Sequence, residues 1–267
     1  MKFSKYHGCG NDFIIGEYND NVNYSELAKK VCNRHTGLGA DGLILAKKGS
    51  IIEMVFYNAD GSRGLMCGNG IRCLSKFIID EKLDEFKEGV LLIKTLSGVR
   101  TVYFENGLYK VNMGKPDFNA KACGIMLDGE YNKQVINYKE KEFVCTSCFM
   151  TVDHLICNVN NIDVSEEEGN YLCNYPLFTR KINVNFAKII NRDLIEIKTY
   201  ERGVGFTKAC GSGSTATFAT FYKEGLVNKE VKIKLEYGEL TISIDENSDI
   251  FMKGQAELIA KNIEFNC

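Results

Sequence analysis

Proline is almost absent from the 267-residue chain: Pro116 and Pro176 are the only two, so no proline-rich linker divides it. An excess of either charge is also missing. Thirty-three Lys and Arg face 35 Asp and Glu, the net charge is −2 and no basic block occurs, which removes nucleic acid as an expected partner. No apolar run comes near the ~20 residues that cross a bilayer, so no membrane association is expected. The opening MKFSKYHGCGNDF lacks the apolar stretch of a secretory signal, and the expected location is cytoplasmic. Histidine is scarce, with three in all. Cys145-xx-Cys148 has neither a second CxxC nor a histidine pair nearby to complete four ligands, so no metal site is expected.

What the chain does have is material for a core. Hydrophobic residues make up 45%, charged residues 25% and aromatics 11%, the balance of an ordinary globular protein and not of a disordered one. The length suits one large domain or two of about 130 residues. Eleven cysteines are an odd count in a long chain with no export signal, so free thiols fit better than a disulfide framework. Most, including Cys9, Cys32, Cys123, Cys157, Cys173 and Cys267, are expected to act as small buried hydrophobes. Cys145 and Cys148 read as two partly buried thiols on one strand. His7 and His35 stand alone beside glycine-rich turns and read as packing or backbone-bonding residues.

Short runs such as FIIGEY, LILAKK, MVFYNA, FVCTSCFMTV, LIEIKTY and VKIKLEY, punctuated by Gly, Asn and Asp, read as strands. Helices are expected over Tyr24 to Arg34, Gly70 to Leu83 and Ser212 to Gly225. Strands and helices interleave without regular βαβ spacing, which predicts an α+β fold. The chain also repeats itself. CGNG at Cys67 returns as CGSG at Cys210, 143 positions on, and FYNADG at Phe56 aligns with TYERGV at Thr199 at the same offset. IKTLSGVRTV at Ile93 aligns with IKLEYGELTI at Ile233, 140 on, and NDFII at Asn11 with VDHLI at Val152, 141 on. Two homologous halves are therefore expected, residues 1–116 and 117–259, with 260–267 returning to the first. A ligand cleft between them is the natural site.

Each CGxG segment puts a thiol at the end of an extended run, then glycines, then a helix. Glycine allows a tight turn and close approach of a ligand to the backbone. The first-turn N–H groups and the helix dipole favour an anion there, and the same field lowers a thiol pKa. Two such turns on one carboxylate match what racemisation of an α-amino acid requires. One thiolate removes the α-proton from one face while the other thiol protonates the opposite face, and the N–H groups of Gly68, Asn69, Gly211 and Ser212 take the developing negative charge. A single CGxG is weak grounds for chemistry; two at equivalent places in a repeat are much stronger. A Cys67–Cys210 disulfide is expected only as an oxidised, inactive form.

With these motifs in place, the chain resembles the diaminopimelate epimerase family, the pyridoxal-independent two-cysteine racemases and epimerases, over essentially its full length. The resemblance is carried by HGCGNDF, GLGADGL at Gly37, NADGSRGLMCGNGIRC at Asn58, INVNF at Ile182 and ERGVGFTKACGSG at Glu201. It implies two pseudo-symmetric halves, each a strand-rich barrel-like layer around a central helix, in a homodimer that needs no cofactor. It also implies that Cys67 and Cys210 are the acid/base pair and that His154 and Glu201 face the reacting amino group. Asn11 then lines the reaction centre, while Asn58, Asn183 and Arg202 match positions that hold the far end of diaminopimelate.

Two departures bear on the substrate. Where the family has Gly-Asn-Pro-His, this chain has Thr151-Val152-Asp153-His154, so Val152 replaces a recognising amide. Phe206 stands where a glutamate is usual. Val152 and Phe206 are thus candidate specificity residues, and the expectation leans to a single-centre amino acid such as histidine. Diaminopimelate itself is the alternative, supported by Asn58, Asn183 and Arg202. A catalytically silent amino-acid-binding relative is the second alternative, and retention of both cysteines argues against it.

Overall fold

The computed structural model of the chain describes residues 1–265; Asn266 and Cys267 lie outside the described residues. The chain forms two compact units, one of Met1–Asn112 together with the segment from Lys253 onward, the other of Met113–Met252.

In the first unit, β1 (Lys2–Gly8) and β2 (Asn11–Glu17) form a hairpin closed by Cys9 and Gly10, with φ of 55° and 84°. Two positive-φ residues are what a twist-matched two-residue turn needs. After α1 (Tyr24–Val31), β3 (Gly42–Lys47) runs parallel to β2 and antiparallel to β4 (Ile52–Asn58). The short β5 (Arg63–Gly64) folds back on β4 and leads into α2 (Gly68–Asp80). Then β6 (Val90–Thr95) pairs in parallel with β4, followed by antiparallel β7 (Gly98–Glu105) and β8 (Leu108–Gly114). α1 buries Tyr24, Leu27, Ala28 and Val31, an i, i+3, i+4, i+7 stripe, against Phe3, Ile14, Leu43 and Val55. α2 buries residues on every side, and packs against β1, β2 and β3. A helix covered all round belongs inside a layer of strands.

The second unit opens with a 3₁₀ turn at Ala120–Cys123 and β9 (Gln134–Tyr138), which pairs with β10 (Lys141–Met150). A hairpin with Thr151 at φ 66° joins β10 to β11 (Val152–Asn158). After α3 (Glu166–Cys173), β12 (Asn183–Asn191) runs parallel to β11 and antiparallel to β13 (Leu194–Glu201). The short β14 (Gly205–Thr207) leads into α4 (Gly211–Lys223). β15 (Glu230–Leu235) then pairs in parallel with β13, with β16 (Gly238–Ile244) beside it and β17 (Ile250–Gly254) next in the chain. The last strand, β18 (Glu257–Glu264), pairs antiparallel with β1 in the first unit. Phe143, Leu155, Phe178, Val184 and Phe186 centre the second unit's core.

Each unit therefore runs hairpin, helix, parallel strand, antiparallel strand, short strand, central helix, parallel strand, hairpin. This is the α+β arrangement expected, and α2 and α4 have the same length of 13 residues. One detail differs from the sequence reading. The transitions fall at 112/113 and 252/253, inside β8 and β17, and not at 116/117 and 259/260. Pro116 follows the end of β8, so it marks the stop of a strand, not the change of unit. The acidic run at Glu166 is the first turn of α3. Ser165 caps it and Glu168 reaches back to the Ser165 N–H, a reciprocal capping box.

Candidate active site

Both cysteines of the repeat are N-caps. Cys67 has extended backbone (φ −132°, ψ 122°), and its Sγ accepts from the Gly70 N–H at 3.4 Å. Cys210 has φ −119° and ψ 108°, and its Sγ accepts from the Gly213 N–H at 3.3 Å. The first helical bonds run from Ile71 N–H to the Cys67 carbonyl and from Ser214 N–H to the Cys210 carbonyl. Gly68, Asn69, Gly211 and Ser212 thus lie ahead of the first intrahelical bond, where amide groups face outward from the helix. The fourth position of each motif has little room for a side chain, least at Gly213. A Cβ on Gly213 would lie 2.2 Å from Asn185 Oδ1, and one on Gly70 2.8 Å from Ile44 Cδ1.

Around Cys67 the side chains are polar and partly charged. Asn11 Oδ1 accepts from Asn69 Nδ2 at 3.1 Å and lies 3.9 Å from Cys67 Sγ, while Asn11 Nδ2 donates to Asp41 at 2.6 Å. Asp41 and Asp12 are bridged by Arg34, and Lys5 pairs with Asp12 at 3.0 Å. Burial works to raise the Asp12 pKa, but the hydrogen bonds and charges of Arg34 and Lys5 outweigh it and hold the carboxyl below its usual range. Asn11, Cys67, Gly68 and Asn69 are thereby brought together. Asn58 is exposed, and its Nδ2 donates to Ser62 Oγ at 2.9 Å within its own turn.

Around Cys210 a buried neutral network lies beside charged side chains. His154 on β11 sits opposite Asn183 on β12. Asn183 Oδ1 accepts from the Arg202 N–H at 2.9 Å, and Glu201 Oε1 accepts from Thr207 Oγ1 at 2.6 Å. His154 is fully buried, and burial, with the Arg202 charge adding to it, lowers its pKa to about 3, so the ring is neutral. Ser212 Oγ lies 3.4 Å from Cys210 Sγ. Val152 opens β11, half-buried, directly after the positive-φ Thr151. Phe206 stands on β14 and is half-buried. It pairs with Tyr200 across β13 and β14, packs on Phe186 with centroids 6.2 Å apart, and carries Lys198 Nζ 4.2 Å over its ring.

Two side chains absent from the sequence reading hold this half together. Asp153 is buried and pairs with Arg180 at 2.9 Å and Arg202 at 3.2 Å. Asn185 is fully buried and links His154, the Leu155 carbonyl and Thr199. Both were in view, Asp153 inside the Thr151–His154 departure and Asn185 inside INVNF. A carboxylate in an otherwise apolar strand was the available signal for Asp153, since buried charge is rare unless paired.

The remaining thiols are structural in setting. Burial raises the Cys123 pKa to about 11 and the Cys32 pKa to about 12, and pushes Cys73 and Cys148 up as well. Cys145 and Cys148 are fully buried, more so than a partly buried pair, and Cys145 Sγ lies 2.9 Å from Cys157 Sγ across the β10–β11 hairpin. Among the described residues no group of three or more His, Cys, Asp or Glu side chains is placed to hold a metal ion.

Comparison with known proteins follows the same lines. The family model described as diaminopimelate epimerase matches residues 3–119 and 146–259. A diaminopimelate epimerase of Alkaliphilus metalliredigens is 37% identical over 100% of this chain and 98% of its own. One from Clostridium perfringens is 40% identical over 97% of each chain. In fold, the chain is similar to a hydroxyproline epimerase from Agrobacterium vitis (TM-score 0.72, 13% identity, 97% of this chain and 91% of that one). It is equally similar to a phenazine biosynthesis protein of the PhzF family from Bacillus anthracis (TM-score 0.72, 18% identity, 100% and 99%). Two halves of one topology, each with a cysteine capping its central helix, and full-length matches to one family lead to the same place: the chain belongs to the diaminopimelate epimerase family and is an isomerase of the racemase and epimerase class.

Proposed function

We propose that this protein inverts the α-carbon of an amino acid without a cofactor, with Cys67 and Cys210 as the paired base and acid. The observation that carries this reading is the duplicated cap: each thiol ends an extended segment and accepts an N–H from the first turn of a central helix. In the reaction, one thiolate abstracts the α-proton and the other thiol delivers a proton to the opposite face, so the roles exchange after turnover. The first-turn amides of Gly68, Asn69, Gly211 and Ser212 stabilise the charge that builds on the carboxylate, which is the work an electron sink would otherwise do. Sulfur suits both roles because a helix N-terminus brings a thiol pKa toward neutrality.

For the substrate we favour a single-centre amino acid, histidine among them. Arg202, the cation that would take a second carboxylate, already answers the buried Asp153, which is also shared with Arg180. A distal carboxylate on the substrate would compete with that carboxylate for the same guanidinium. Val152 adds an apolar surface where a zwitterionic end would need polar partners, and unpaired polar groups cost about 1–3 kcal/mol each. The second reading, epimerisation of LL-diaminopimelate, is favoured by the relatives of that name and by the presence of Asn58, Asn183 and Arg202. We further propose a homodimer acting in the cytoplasm, following the family's habit; among the described residues no helix is long and apolar enough to cross a membrane.

The test is loss of the α-proton in deuterium oxide, followed by proton NMR under strong reductant. The panel is LL-diaminopimelate, histidine, lysine, ornithine, glutamate and lanthionine. Exchange on histidine or another single-centre amino acid supports the favoured reading, whereas exchange on diaminopimelate alone overturns it in favour of the second. Binding without exchange on any of them would remove the catalytic assignment for these substrates.

A further inference from the structure

The buried network beneath Cys210 fixes more than packing. Asn185 Nδ2 lies 3.1 Å from His154 Nδ1 and 3.2 Å from the Leu155 carbonyl oxygen, and Asn185 Oδ1 accepts from the Thr199 hydroxyl at 3.0 Å. A carbonyl oxygen can only accept, so the amide atom facing Leu155 must be the nitrogen, and the amide cannot be turned round. That same NH₂ group faces His154 Nδ1, which must accept in turn. A neutral imidazole whose Nδ1 accepts carries its proton on Nε2. His154 Nε2 is itself fully buried and has no hydrogen-bond partner among the described residues.

A buried donor without an acceptor is costly, and a protein tolerates it where a ligand supplies the missing group. At neutral pH an amino acid offers two charged groups beside its α-carbon. The ammonium group has only N–H donors and would meet the Nε2–H donor head-on, whereas the carboxylate has only acceptors. The nearby acceptor suited to the ammonium group is Glu201, whose carboxylate is already oriented by Thr207.

We infer that Asn185 is a positioning residue that holds His154 as a fixed Nε2–H donor, and that this donor binds the carboxylate of the substrate and not its ammonium group. The inference rests on the proposed amino-acid site and changes one expectation drawn from the resemblance: only Glu201 faces the reacting amine. Asn185 also ties this donor to the catalytic turn, because its Oδ1 occupies the space a side chain on Gly213 would need, and the Gly213 N–H is the one that caps Cys210.

The decisive measurement is long-range proton–nitrogen NMR on ¹⁵N-labelled wild-type protein, which has only three histidines to assign. His154 is expected to show a protonated Nε2 and an unprotonated Nδ1 across neutral pH; a protonated Nδ1, or a charged ring, would overturn the inference. Unlabelled L-histidine and its decarboxylated amine, histamine, are then added in turn, with LL-diaminopimelate and lysine, which keeps a single carboxylate, as the second pair. The His154 Hε2 signal should shift and resist solvent exchange with the carboxylate-bearing ligands and remain unmoved by histamine. An equal response to histamine sinks the carboxylate assignment. Asn185→Asp, which accepts where the amide donates, should draw the proton to Nδ1 and slow α-proton exchange by about tenfold or more, on the scale of one lost transition-state donor. Unchanged exchange with a reversed tautomer would remove His154 from the mechanism, and if the variant does not fold, the wild-type tautomer and the histamine comparison decide. Wild-type α-proton exchange on the substrate panel is read separately, so failure of the racemase reading and failure of this inference give different results.

Discussion

Cys67 and Cys210 cap helices of equal length through the same thiol-to-amide bond, yet the first stands beside a partly exposed charged cluster and the second beside a buried neutral network flanked by the Asp153–Arg180 and Asp153–Arg202 ion pairs. Around the first, Asn11 and Asn69 connect to Asp41, Asp12, Arg34 and Lys5, and Cys67 is half-buried. Around the second, an imidazole, an amide and a hydroxyl are sealed from water, and Cys210 is 6% exposed. The fifth residue of each helix sharpens the contrast. It is a fully buried Arg72 in α2, with its Nη1 3.3 Å from the Gly68 carbonyl, and Thr215 in α4, whose hydroxyl donates to the Gly211 carbonyl at 3.1 Å. Both copies share the thiol cap and leave little room for a Cβ at the fourth residue. The side chains behind that backbone differ, and in the proposed two-base reaction that difference would bias the two thiols.

The largest effect should come from the thiols themselves. Cys67→Ser and Cys210→Ser are each expected to cut α-proton exchange by about 10²–10⁴-fold, the usual worth of a positioned acid or base, with ligand binding retained. Equal losses would show that the differing neighbourhoods do not bias the chemistry; unequal losses, read from each enantiomer separately, would say which thiol starts as thiolate.

Acid should separate the halves next. His154 is depressed to about 3 by burial, and its ring titrates near 6.5 when unfolded, so between those values the unfolded chain binds more protons. Its contribution is therefore full above pH 6.5 and falls by about 1.4 kcal/mol for each unit below. Asp12, also held below its usual range, keeps its contribution above the ordinary carboxylate pKa and loses it only in stronger acid. Urea unfolding at pH 7, 6 and 5 should show the slope in wild type and a shallower one in His154→Gln; parallel slopes would mean the ring does not stay neutral.

Glycine replacement probes the shared fourth position. Gly213→Ala forces a methyl group to 2.2 Å from the hydrogen-bonded Asn185 and should cost about 2–3 kcal/mol, the upper part of the overpacking range. Gly70→Ala meets the movable end of Ile44 at 2.8 Å, and the gain in helix propensity offsets much of its cost, leaving about 1 kcal/mol or less. Chemical denaturation of the two variants orders them. The smallest difference lies in the outer helices. Ser165→Ala breaks the reciprocal capping box of α3 and should cost about 1 kcal/mol, while Asn23→Ala removes a longer bond of 3.3 Å from α1 and should cost less, as thermal unfolding would record.

Much of this organisation is readable without coordinates, and the reasons are physical. The repeat shows itself because glycines, capping residues and strand alternation are local demands that recur at a near-constant offset. The cysteine turns are readable because thiol, glycine and helix start are contiguous. Less visible was α3, hidden by three successive glutamates although Ser165 and Glu168 carry its signature. The packing of Phe206 could not be read from its neighbours in sequence, since its ring rests on Phe186 and Tyr200 from other strands.

What the chain determined by itself is thus the local and the repeated: two halves, their central helices, and a thiol at the head of each. Only the tertiary structure decided which side chains complete each half. Asp153 meets Arg180 and Arg202, and Asn185 meets His154, only because β12 lies parallel to β11 after a helical crossover and β13 returns along β12. Parallel pairing brings together residues some 30 positions apart with no sequence rule for which faces which. The protonation of a buried imidazole depends on that pairing, because removal from water and one fixed amide leave it a single tautomer.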